Sequence, residues 1–253
     1  MFGFRLTRPK ELPKPQVPLG YCLYVVGDIH GRNDLLGNLH QKIRADMAAR
    51  QDDDHSIVVY LGDYVDRGPA SREVIERLID FDIPGASPVF LKGNHEDAML
   101  GFLDDVDILR EWVQYGGQAT LFSYGVSVDG RMAATPSMLE EIQHQFRTLL
   151  PSHHRAFLQN LRLSHAFGDY MFVHAGINPS WPLEEQHPAD LLWIRDEFLR
   201  SSKYLGKVVV HGHTISKEPE FKPNRIGIDT GAYATGVLTA LVLQKDQQRV
   251  LQT

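Results

Sequence analysis

Short apolar runs alternate with amphipathic stretches through the first third of the chain. Tyr21–Val26 (YCLYVV) is cut off by Gly27, which predicts a buried strand. Over 33–50, Leu35, Leu36, Leu39, Ile43 and Met47 fall on one face of a helix. Residues 56–61 (SIVVYL) repeat the strand pattern, 71–81 the helical one with Val74, Ile75, Leu78 and Ile79 inward, and 88–91 give a third strand. Strand, helix, strand, helix, strand in that order predicts an α/β sheet, whose ligands collect beyond the carboxyl ends of its strands.

Beyond residue 97 the pattern changes. Residues 97–161 read as mostly helical, interrupted near QYGGQ and SYGVSVDG, and so as a helical insertion. YMFVHAG and KVVVHGHT are two further strands, and a last one, 236–243, comes after IDTGAYA; these late strands can pair antiparallel. The first 20 residues carry four prolines and five charges, with no apolar run long enough for a signal peptide or a membrane span. They are expected to form a flexible arm ahead of a single domain over 21–253.

Composition narrows the class. With 43% hydrophobic residues in 253, the chain can bury a large core. The balance of 26 basic against 32 acidic residues, a net charge of −6, speaks against a nucleic-acid binder. Cys22 is the only cysteine, so no internal disulfide can form and a reducing, cytoplasmic setting is expected. A monomer without nucleic-acid or membrane partners fits these features.

The residues at the end of each strand carry the chemistry. They read Gly27-Asp28-Ile29-His30-Gly31, Gly62-Asp63-Tyr64-Val65-Asp66-Arg67-Gly68, Gly93-Asn94-His95-Glu96, His174-Ala175-Gly176 and His211-Gly212-His213-Thr214. Singly, each Asp or Asn could cap a helix or make a turn, and each His could be a satisfied core group. Gathered at one sheet edge, these carboxylates and imidazoles would lack any neutralising charge, which two metal ions would supply. Carboxylate, imidazole and amide oxygen without thiolate suit Mn²⁺, Fe or Zn²⁺. Asp63, from the middle strand, is the candidate to bridge two ions.

The motifs GDIHG, GDYVDRG, GNHE, HAG and GHT, in this order between residues 27 and 214, resemble the PPP phosphoprotein phosphatase branch of the calcineurin-like metallophosphoesterases, especially its bacterial members. The resemblance implies a core of two packed β-sheets flanked by helices, with a helical insertion. It also implies a first metal held by Asp28, His30 and Asp63, and a second by Asp63, Asn94, His174 and His213, with Mn²⁺ the expected ion. His95, oriented by Asp66, would protonate the leaving oxygen, and Arg67 and Arg195 would grip the phosphate. The implied reaction is dephosphorylation of phosphoserine or phosphothreonine in proteins by direct attack of a dimetal-bound hydroxide.

Two rivals are a symmetrical dinucleoside tetraphosphate hydrolase and a catalytically silent binding module on the same fold. Against the first, an open acidic surface is expected to admit a peptide and to lack the stacking pocket an adenine requires. His211 is read as core or as a neighbour of the ligands, because Ile215 stands where related enzymes carry a further histidine. His153 and His154 are expected at the surface, His165 across a hairpin from His174, and Asp52–Asp54 in a solvated loop. Tyr233 falls near where the family often places a tyrosine beside the phosphate.

Overall fold

The computed structural model describes residues 14–128 and 135–253; the expectations for the start of the arm and for the middle of the insertion lie outside them. Two five-stranded sheets form the centre. The first contains β1 (Tyr21–Val26), β2 (His55–Tyr60) and β3 (Ala86–Phe90). The second contains β4 (Ser164–Phe167), β5 (Tyr170–Val173), β6 (Val208–His211), β7 (Glu220–Phe221) and β8 (Arg225–Gly227). The chain then returns to the first sheet through β9 (Thr239–Gln244) and β10 (Gln247–Gln252). The strand orders are β10-β9-β1-β2-β3 and β4-β5-β6-β8-β7.

The uninterrupted apolar run of β1 has a simple cause: both of its faces are covered. Leu23 and Val25 point between the sheets and pack with Val59, Leu61 and Leu241 against Tyr170, Phe172, Val208, Val210 and Ile226. Cys22, Tyr24 and Val26 point the other way, beneath α1 (Asn33–Ala49) and α2 (Ser71–Ile79). Each such fully buried Val or Leu contributes about 1.5–3 kcal/mol from removal of apolar surface from water. The outer face of the second sheet, Met171, Val173 and Val209, is closed by Leu191, Ile194 and Phe198.

β1 pairs parallel with β2, and β2 with β3, as the alternating pattern requires, while β9 runs antiparallel to β1. β10 has no clear sequence signal because QQRVLQ is an edge strand, exposed over its first half and short of apolar residues. The insertion is helical, comprising α3 (Asn94–Asp104), α4 (Ile108–Trp112), α5 (Gly117–Ser123), α6 (Pro136–Leu149) and α7 (Ser152–Gln159). Further short helices are α8 (Pro188–Trp193), α9 (Asp196–Leu199) and α10 (Ala232–Thr235). None of the described helices is long and apolar enough to cross a membrane.

Three local expectations are corrected. The end of the arm is docked: Val17 is buried and donates its amide to the Lys245 carbonyl, and Asp169 donates to the Gln16 carbonyl. His165 stands opposite Phe172, because the turn at Gly168 pairs Ser164 with Val173. The His153–His154 pair is split. Adjacent helical residues point about 100° apart, so α7 leaves His153 half exposed and buries His154 completely.

Candidate metal centre

Donors arrive from the ends of both sheets rather than from one edge. Asp28 and His30 follow β1, Asp63 and Asp66 follow β2, and Asn94 and His95 open α3 beyond β3, while His174 follows β5 and His213 follows β6. All eight are buried. Two groups of close donors share Asp63, namely His30–Asp63–His95 and Asp63–His174–His213. Asp63 Oδ2 lies 3.5 Å from His30 Nε2 and 3.8 Å from His95 Nε2, and its Oδ1 lies 3.4 Å from His174 Nε2. One carboxylate thus turns an oxygen toward each group, the disposition a bridging ligand needs.

The remaining contacts fix which atoms are free to bind. His30 Nδ1 faces the Val65 carbonyl at 2.9 Å and His174 Nδ1 the Leu61 carbonyl at 3.0 Å, so each ring offers Nε2 inward. His213 offers Nδ1, 2.9 Å from Asn94 Oδ1 and 3.2 Å from His174 Nε2. Asn94 Oδ1 is also 2.9 Å from His174 Nε2. Asp28 stands outside these two groups; its Oδ2 accepts the His213 amide at 2.9 Å while its buried Oδ1 has no partner. The approach is close enough to demand glycine: a Cβ on Gly212 would sit 2.0 Å from Asp28 Oδ1, and one on Gly93 2.1 Å from Asp63 Oδ1.

The backbone is strained where the chemistry is. Of the six non-glycine residues with positive φ among those described, five are His30, Asp63, Asp66, Arg67 and His213. Each such conformation costs about 1–3 kcal/mol, which the surrounding structure must sustain. Asp63 is held by Glu96, whose carboxylate accepts the amides of Asp63, Tyr64 and Gly93 at 2.8, 2.7 and 2.9 Å. Glu96 is visible in GNHE, yet nothing in the sequence distinguishes a backbone clamp from a ligand.

Electrostatics show donors in need of a cation. Burial, with Asp229 and Asp63 nearby, pushes Asp28 well above the carboxylate range, and burial also raises Asp63. Burial holds His30 and His174 well below the ordinary histidine value, and burial together with the Arg195 charge brings His213 to about 3. Carboxylates that resist ionising beside imidazoles that resist protonation are a set that divalent cations would satisfy. The bare Asp28 Oδ1 and the shared Asp63 fit the same requirement.

His95 differs from the other histidines. Burial pulls its pKa down, but the Asp63 and Asp66 carboxylates outweigh burial and hold it above the ordinary value. Its Nδ1 donates to Asp66 Oδ2 at 2.6 Å, leaving Nε2 toward the cluster with a proton to give. Asp66 is held in turn from the helical side: Trp112 Nε1 donates to Oδ2 at 2.7 Å and Thr120 Oγ1 to Oδ1 at 2.6 Å, while the Asp66 amide meets Thr120 and Ser71 hydroxyls. No motif announces Trp112 or Thr120.

Arg67 donates to His30 Nε2 at 2.9 Å and lies 3.2 Å from His95 Nε2, to which it can donate only while that nitrogen carries no proton, with its guanidinium 4.9 Å from the Tyr233 ring centroid. A cation at His30 would use the same lone pair and so release Arg67 toward a phosphate. Tyr233 therefore lies where the loose motif suggested. Arg195 is exposed at the start of α9 and outside the cluster, though its charge reaches His213. His211 is buried against Arg225, 3.3 Å away, and takes no place among the donors.

The sequence predicts no stacking pocket, and a cavity lies beside the cluster. Its volume is about 390 Å³, and it is lined by Trp112, Tyr115 and Trp193 together with Asp97, Asp104 and Glu111. The Trp193 ring lies 6.4 Å from that of His213 and 6.4 Å from that of Tyr115. Of these rings Tyr115 and Trp193 are partly exposed, whereas Trp112 is buried.

Two packed sheets with buried His, Asp and Asn at their strand ends define a dinuclear metallohydrolase, and residues 23–232 match the profile of the calcineurin-like phosphoesterase family. The chain belongs to that family and is a metal-dependent phosphoesterase, whose family centre is dinuclear. Among curated relatives, an asymmetrical bis(5'-nucleosyl)-tetraphosphatase, PrpE, of Bacillus thuringiensis is 28% identical over 239 residues, 86% of this chain and 88% of the relative. The Bacillus anthracis protein of the same name is 27% identical over the same shares. Among solved structures, a candidate diadenosine tetraphosphatase (20% identity, TM-score 0.59) covers 93% of this chain and 95% of its own. A Saccharomyces cerevisiae serine/threonine protein phosphatase (18% identity, TM-score 0.54) covers 92% and 79%. These two structures share the fold.

Proposed function

We propose that the chain hydrolyses dinucleoside tetraphosphates, cutting asymmetrically to a nucleoside triphosphate and a nucleoside monophosphate. The observation that carries this reading is the aromatic cavity beside the donor cluster. Its acidic residues would repel a phosphate chain but accept hydrogen bonds from a base's exocyclic amine, so a base fits there and the phosphates fit toward Arg67. The asymmetrical outcome follows the relatives' names, and replaces the symmetrical cut of the rival reading.

In this scheme Asp28, His30 and Asp63 would hold one divalent cation, and Asp63, Asn94, His174 and His213 the other. When bound, such ions polarise phosphoryl oxygens and acidify attacking water. Arg67, with Arg195 at the rim, grips the phosphoryl group through paired charge-assisted hydrogen bonds. As the bond from phosphorus to the bridging oxygen breaks, His95 Nε2 passes its proton to that oxygen while Asp66 steadies the ring.

A second reading, phosphoserine or phosphothreonine protein phosphatase, is favoured by the His95–Asp66 pair, since a serine or threonine alkoxide leaves poorly and needs an acid. One experiment separates the two. With Mn²⁺-loaded protein, diadenosine tetraphosphate should yield ATP and AMP with kcat/KM at least about tenfold above phosphoserine and phosphothreonine peptides, a difference of roughly 1.4 kcal/mol. Two molecules of ADP would refute the asymmetrical cut, and a tenfold preference for peptide would install the second reading.

A further inference from the structure

Away from the strand ends, Glu76 on α2 meets His153 and His154 on α7. His153 Nε2 is 3.1 Å and His154 Nε2 2.5 Å from the same oxygen, Glu76 Oε2, and the three donor atoms lie within 4.8 Å of one another. His154 is fully buried, and its Nδ1 lies 2.8 Å from the hydroxyl of Tyr124, itself buried. Without a cation, Nε2 donates to Glu76 and Nδ1 accepts from the Tyr124 hydroxyl; with the ring proton moved to Nδ1, donating to that hydroxyl, Nε2 would present a lone pair to a cation held by Glu76. An outer partner on the far ring nitrogen is how ligating histidines are usually oriented.

We propose that Glu76, His153 and His154 bind a zinc ion that ties α2 to α7. Two imidazoles and one carboxylate suit zinc, whose bonds of about 2.0–2.2 Å in a tetrahedron set neighbouring ligand atoms roughly 3.3 Å apart. The His153–Glu76 spacing already matches. The His154–Glu76 spacing has to open by less than about 1 Å, which the half-exposed Glu76 side chain can do. Glu76 and His153 both reach solvent, so water can take the fourth position. Nitrogen-rich sites prefer Zn²⁺ to Mn²⁺, so this site is distinguished from the carboxylate-bridged centre by its metal preference.

The tie has a structural consequence. The α2 that carries Glu76 begins at Ser71, whose hydroxyl accepts the Asp66 amide. Zinc bound at Glu76 would therefore stiffen, at its far end, a helix whose near end holds the Asp66 turn.

The test uses the full chain equilibrated at one free Zn²⁺ concentration, separated from unbound ion and analysed for zinc per chain. The unmodified protein should hold one more zinc than His153→Ala or Glu76→Gln, both changes at accessible positions, with affinity at this site lowered at least about 10–100-fold. Zinc should raise the Tm of the unmodified protein more than that of His153→Ala. The extra ion should survive in Asp63→Asn, which separates it from the strand-end centre, and in His144→Ala at an exposed position on α6. Equal zinc content in the unmodified protein and His153→Ala would overturn the proposal, as would loss of the ion in His144→Ala.

Discussion

The strand-end turns and the helices that lean over them contribute differently to the centre. The turns deliver His30, Asp63, Asp66, Arg67 and His213 in strained left-handed conformations, with buried donors and little to neutralise them. The helices deliver Trp112, Thr120, Tyr115 and Trp193, which hold Asp66 or line the neighbouring cavity. On the proposed reading, strain and unmet charge mark where chemistry happens, while ordinary helical geometry marks where it is adjusted and where substrates would be told apart. Substitutions in the turns should abolish function, and those in the helices should tune it.

The largest effect is expected at the shared carboxylate. Asp63→Asn should lower hydrolysis of p-nitrophenyl phosphate by roughly 10³-fold or more, since both cations lose a ligand. His95→Asn should keep the metals yet reduce kcat by about 10²–10⁴-fold on a poor leaving group, and less on a good one. If the metals left with His95, it would be a ligand rather than the acid, and the turns would divide differently.

On the helical side, Trp193→Ala should reduce kcat/KM for diadenosine tetraphosphate roughly 10–100-fold, the loss of about 1–3 kcal/mol of base stacking, and leave p-nitrophenyl phosphate turnover nearly unchanged. Equal losses on both substrates would show that Trp193 supports the centre instead of selecting for it. The smallest effect is expected from Trp112→Phe, which removes one of the two donors on Asp66 Oδ2. The freed oxygen should bind the His95 imidazolium more strongly, so the alkaline limb of the kcat profile should move to higher pH while kcat falls less than about tenfold. A shift to lower pH would mean that Trp112 does not compete for that oxygen.

The strand ends are legible because they pair a buried strand with residues no buried strand would end on. GDIHG and GDYVDRG each continue an apolar run with glycine and acid, and the structure brings all six named donors to the strand ends, Asp28 a little apart from the rest. The helical contribution is not legible. Trp112 reads as one more apolar position of a helix, and only the fold, packing α4 against α3 and α5, turns its indole toward Asp66. Trp193 stands two positions before Arg195 in the chain, yet its exposed face acquires meaning only beside the cavity. His154 shows the same limit, for a polar pair near a proline gives no sign that one ring is buried against Tyr124.

Counting Mn²⁺ per chain across pH tests the two-cation centre most directly. Metal binding must displace protons from the ligand carboxyls Asp28 and Asp63, which burial and their neighbours hold above the usual range, and two cations would also favour ionisation of the acids beside them, Asp229 near 6 and Glu96 near 7. A raised carboxyl pKa means that the metal-free protein binds more protons than the loaded form in this range, so affinity should rise with pH and fall between pH 7 and pH 5. The account predicts two Mn²⁺ per chain at pH 7 with weaker binding at pH 5, and at most one ion in Asp63→Asn. Two tightly held ions in Asp63→Asn, or none in the unmodified protein at saturating Mn²⁺, would contradict it.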